Sequence, residues 1–217
     1  MDPVSAIVAF SVAAGLLTIT PGLDTALVLR TATVEGARQA MAAGSGVVAG
    51  VLAWGLLASL GLGAPLALSE IGYRILQYAG AAYLLWLGSR MIWAALRPHA
   101  GAIEKPVADL VRPERNGTGF GWFWRGLMTN LLNPKVGVFY VSFLPQFIPA
   151  DIPVVAFSVG LAAIHAAMGL LWFAAITLAT RPVAELLKRP AFTRAIDGLT
   201  GSVLVAFGVR LGLERRS

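Results

Sequence analysis

Residues 41–62 read MAAGSGVVAGVLAWGLLASLGL, without a single charge. A helix needs roughly 20 mostly apolar residues to cross a hydrocarbon core. Runs of this kind recur along the chain, at 4–30, 41–62, 75–96, 126–148, 152–179 and 198–213. The last is short and contains Arg210, whose stem can carry its charge to an interface. The chain is 57% hydrophobic and 13% charged, against about 25% charged residues in a soluble domain. Mean hydropathy is +0.75. A transmembrane β-barrel is excluded, because its strands alternate in character over about 10 residues. The expectation is an all-α, polytopic membrane protein of about six transmembrane helices, embedded in the lipid bilayer.

The net charge of +6 does not point to nucleic acid, since no basic stripe alternates with aromatics. The N-terminus, MDPVSAIVAF, has no basic n-region, so its first run reads as a retained membrane segment. Residues 97–125 are rich in charge and contain Pro98, Pro106 and Pro113. They read as a polar linker between a first three-helix half, 1–96, and a second, 126–217. Loops after segments one, three and five carry eleven Lys and Arg; the other side and the tail carry three. That bias predicts a cytoplasmic linker and external termini. Gly46 and Gly50 form a G-x-x-x-G, which lets helix backbones approach closely. Packing within the chain is the preferred reading over a dimer, and the oligomeric state stays open.

Two segments are interrupted in matching places. Thr20-Pro21-Gly22-Leu23-Asp24 breaks the first, and Asn133-Pro134-Lys135 breaks the fourth. Each break has a small polar residue before its proline and a charge soon after. Each lies in the first helix of its half. Three helices per half is an odd number, so the halves run in opposite directions, as two inverted repeats with broken first helices. Proline lacks an N–H and disrupts the turn before it. Lipid cannot satisfy the freed backbone groups, so a broken helix suits the wall of a polar cavity. A plain proline kink is the bland alternative. Asp24 and Lys135 are costly at membrane depth, roughly 2.5–3.5 kcal/mol each. Asp24 suits a substrate ammonium or a coupling proton. Lys135, with Thr20 and Asn133, suits a carboxylate. A structural ion pair between them is the other reading. Gln146, in Phe143-Leu144-Pro145-Gln146-Phe147, either lines the pathway or caps the interface. His165 is solitary and reads as hydrogen-bonded packing before it reads as a proton relay.

These stretches, with the Gly-rich second segment between them, resemble the LysE/RhtB family of bacterial amino-acid exporters over essentially the whole chain. The resemblance implies export of amino acids or close derivatives across the cytoplasmic (inner) membrane, driven by the proton gradient. Carried over by position, the matching residues are Pro21, Gly22, Asp24, Asn133, Pro134, Lys135, Pro145 and Gln146. One position departs: the family usually has proline where Leu23 stands, so one helix breaker is lost. The resemblance therefore does not carry a particular substrate over to this chain.

Two rivals are weaker. A cation exporter needs several hard oxygen or imidazole ligands, and no carboxylate besides Asp24 is expected inside a segment. An intramembrane enzyme needs convergent nucleophile, base or metal ligands, whereas His99 is expected in the linker and His165 alone. No cofactor or metal is expected.

Overall fold

The computed structural model describes residues 2–68, 70–96, 118–149, 152–179 and 189–213. Most of the expected linker, with His99, lies outside them, as do residues 180–188 and the last four residues. Every described element is a helix or a helical turn.

Helix α1 spans Pro3–Ile19. Asp2 caps it, its Oδ1 accepting from Val4 N at 3.1 Å and Ser5 N at 3.0 Å. The carboxyl of Asp2 is held below its usual range, the hydrogen bonds to Ser5 coming first among the causes. Pro3 occupies the first turn, where its missing N–H costs nothing. The helix stops because Thr20, which precedes a proline, is extended (φ −65°, ψ 122°). After the break α2 spans Leu23–Val34, bent 49° from α1. Gly36 has φ 96°, a left-handed conformation that turns the chain sharply into α3, Ala37–Leu68. Helix α4 spans Glu70–Leu96.

Helix α5 spans Gly119–Leu131 and begins on a Thr118 cap. It starts seven residues before the expected fourth segment. The second break follows, then α6, Pro134–Val138. The chain continues through a π-turn, Phe139–Phe143, and a 3-10 turn, Leu144–Phe147. Helix α7 spans Val154–Leu178. Helix α8 spans Pro190–Leu213, two turns longer at its start than the expected 198–213. That extension brings Asp197 inside a helix, which corrects the expectation that Asp24 is the only carboxylate in a segment interior.

Among the described residues, three helices are long and apolar enough to cross a membrane: Ala37–Gly61 in α3, Val154–Leu178, and Pro190–Val209 in α8. The bent pair α1–α2 makes a fourth if counted as one span. Helix α4 carries Glu70, Arg74 and Arg90, and α5 has only 13 residues.

Helices α4 and α8 pair extensively, α3 packs on α5 and α7, and α1 packs on α7 and α8. The close approaches run through glycine. A Cβ on Gly46 would overlap the Phe123 carbonyl, and one on Gly126 would overlap the Ala43 carbonyl. The G-x-x-x-G thus meets α5 within the chain. Val4, Val8 and Val12 lie exposed on one side of α1, and Leu52, Leu56 and Leu60 on one side of α3. Apolar stripes of that extent suit lipid rather than water. Inside, one core gathers Phe10, Phe139, Tyr140, Phe143 and Phe147. A second gathers Leu27, Val28, Val47, Trp122 and Phe173.

Candidate functional site

A cavity lies between the two cores, walled by Leu17, Val51 and Val136 from the first and by Val47 and Phe173 from the second. Its polar wall comes from the breaks. Thr20, Gly22 and Asp24 arrive from the first, and Asn130, Asn133 and Lys135 from the second. His165 of α7 also lines it.

Local structure explains how each side chain gets there. Asp24 lies in the first turn of α2, where the positive end of the helix dipole favours an acid. Asn133 is extended (φ −79°, ψ 107°) and caps α6, its Oδ1 accepting from Lys135 N at 3.1 Å. Such a cap contributes about 1 kcal/mol. Pro134 follows at the first helical position. The two breaks therefore share a plan: a helix ends, an extended polar residue precedes a proline, and a charged residue enters the next helix.

The breaks meet. Asn130 Nδ2 donates to Asp24 Oδ2 at 2.8 Å, joining residues 106 apart in sequence. A Cβ on Gly22 would stand 3.9 Å from Lys135 Nζ, so the lysine tip of one break lies against the backbone of the other. Asp24 Oδ1 is buried with no hydrogen-bond partner among the described residues. The Thr20 hydroxyl donates to Leu16 O and pairs with the Thr200 hydroxyl of α8 at 2.8 Å, which ties the first break to α8.

The expected site residues divide into three groups. Thr20, Gly22, Asp24, Asn133 and Lys135 line the cavity. Pro21 and Pro134 shape the breaks without lining it. Gln146 lies away from it, and its Nε2 donates to Ser142 O of the preceding π-turn at 3.0 Å. Pro145 opens that turn. His165 stacks on Tyr140 with its Nδ1 3.0 Å from the phenolic oxygen, so it is both packed and in the cavity wall.

Asn130 was missed by sequence reasoning. Its only signal was a second polar residue, after Thr129, in the apolar stretch before Asn133. The free space in the cavity is about 50 Å³, room for a few water-sized molecules.

Three relatives align over nearly their full lengths. The threonine efflux protein of Escherichia coli (strain K12) is 28% identical, over 91% of this chain and 92% of its own. The leucine efflux protein of Klebsiella pneumoniae subsp. pneumoniae is 30% identical, over 93% and 92%. The homoserine/homoserine lactone efflux protein of Salmonella typhi is 30% identical, over 96% and 97%. No solved structure matches. Residues 16–215 match the profile of the LysE type translocators, both breaks included. The chain is a membrane protein and belongs to the LysE type translocator family.

Proposed function

We propose that this protein is a secondary exporter that moves amino acids or close derivatives out of the cytoplasm by alternating access, in exchange for protons. The observation that carries the reading is the meeting of the two breaks, with an acid and a base in one cavity whose remaining wall is mostly aliphatic. Asp24 takes the substrate ammonium through Oδ1. Lys135, with Thr20 and Asn133, takes the carboxylate. One acid and one base suit a zwitterion. The aliphatic wall suits an uncharged side chain, since a basic one would bury its charge without a partner. The relatives named for threonine, leucine and homoserine efflux support the same class.

Six spans in two inverted halves fit the packing. An inverted repeat maps segment three onto six and two onto five. The α4–α8 and α3–α7 pairings are then self-related, while α1 on α7 corresponds to α5 on α3. The protein resides in the bacterial inner membrane with the linker that precedes α5 cytoplasmic, as the Lys and Arg bias supports.

The test is efflux from cells loaded through dipeptides, comparing wild type with Asp24→Asn and Lys135→Ala at equal membrane abundance. Export of threonine- or leucine-like substrates by wild type and its loss in both variants is expected. Absence of export by wild type overturns the function. Export that survives both substitutions overturns the site.

A further inference from the structure

We propose that Asn130 is the positioning residue of this site: from the end of α5 it fixes the Asp24 carboxylate, and Gly50 provides the space in which it does so. The inference rests on Asp24 being the ammonium-binding group.

Asn130 is fully buried in the last turn of α5. Its side chain reaches the first break, donating from Nδ2 to Asp24 Oδ2. Its main chain serves the second break, where its carbonyl accepts from Asn133 N at 3.0 Å. The same carbonyl accepts from Trp54 Nε1 at 3.4 Å, which fastens it to α3. One residue thus joins both breaks.

The orientation of the amide follows from chemistry. Only its NH2 end donates, and an ionised carboxylate only accepts. Rotating the amide would set Oδ1 against Asp24, acceptor on acceptor. Oδ1 instead faces α3 at Gly50, where a Cβ would come within 2.5 Å of Oδ1 and 2.8 Å of the Asn130 Cβ. A side chain at position 50 would displace Asn130.

The consequence for binding is geometric. With Oδ2 anchored, the Asp24 side chain is held in one orientation, and Oδ1 is the oxygen left to accept from an ammonium. A substrate then meets a pre-placed partner rather than ordering one on arrival.

The experiment uses the full chain, purified and reconstituted. The carboxyl band of Asp24 is identified by infrared difference against Asp24→Asn, and half-saturation is measured by counterflow of L-threonine and L-leucine in proteoliposomes. Asn130→Ala is expected to shift the band and to raise half-saturation about tenfold or more, as loss of a hydrogen bond to a charged group does, while the maximal rate changes little. Gly50→Ala crowds Asn130 while leaving both partners chemically intact, and a smaller shift in the same direction is expected. An unmoved band and unmoved half-saturation in both variants overturn the proposal, as does a fall in maximal rate alone. If wild type exchanges neither amino acid, the exporter reading fails, and the infrared band still decides the positioning role.

Discussion

Gly88 on α4 and Gly201 on α8 face each other so closely that a Cβ on either would stand 2.6 Å from the other's carbonyl oxygen. The relationship is reciprocal, and around it the helices run antiparallel: Gly198 meets Ala95, and Gly208 meets Leu85. Close backbone contact through small residues is how apolar helices associate where lipid removes any hydrophobic drive between them. Gly88→Val is therefore expected to destabilise the protein by about 1–3 kcal/mol through overpacking. Thermal unfolding of the purified protein reads this as a lowered midpoint. Gly61→Val is the control, because nothing lies within 4 Å of the place a Cβ would take there, and no such loss is expected.

Gly169 of α7 lines the cavity, yet a Cβ there meets Val48 Cγ2 at an ordinary 3.6 Å. Gly169→Ala is expected to leave stability unchanged and to occupy space a substrate side chain would use. Discrimination worth about 1–3 kcal/mol per methylene is typical of apolar pockets. Competition between L-leucine and a smaller neutral amino acid in counterflow is expected to shift toward the smaller one. Equal loss of both places the substrate side chain elsewhere.

The breaks were legible in the sequence because Pro21 and Pro134 act locally: each removes a donor and forces the residue before it to be extended. Their meeting was only inferable from the matched positions of the two motifs. Asn130 was not legible, because an asparagine near a helix end has many uses and its partner lies 106 residues away. Gln146 misled because its amide donates locally, to the Ser142 carbonyl one turn back, a contact that a motif does not reveal. The start of α8 was obscured by Arg194 and Asp197, polar residues that ended the apolar run but not the helix. At the start of α5, Gly119 and Gly121 read as linker, although Thr118 caps a helix there.

The buried Thr20–Thr200 hydroxyl pair ties the first break to α8. Thr200→Val keeps the shape and removes the bond, leaving Thr20 with its Leu16 carbonyl. A cost of about 1 kcal/mol is expected, read as a modest fall in unfolding midpoint. Because Thr20 lines the cavity, a weaker affinity in counterflow is expected alongside it. A change in midpoint with unaltered half-saturation separates the tie from the binding site.

The two prolines are expected to differ in consequence. At the second break Asn133 caps α6 through its own side chain, so the helix start survives when Pro134 becomes Ala. At the first break Gly22 offers no side-chain cap to α2. There Pro21 is what keeps Thr20 extended and denies the chain a continuous hydrogen-bond ladder. With Ala at position 21, α1 can run on into α2, the 49° bend can straighten, and Asp24 swings away from Asn130. Pro21→Ala is therefore expected to lower efflux about tenfold or more at equal abundance, a loss within the free energy an interior proline controls. Pro134→Ala is expected to stay within about threefold of wild type, because the cap it leaves in place is worth about 1 kcal/mol. Initial efflux rates from preloaded proteoliposomes decide the order. The reverse order would mean that the second break, not the first, depends on its proline to hold the site open.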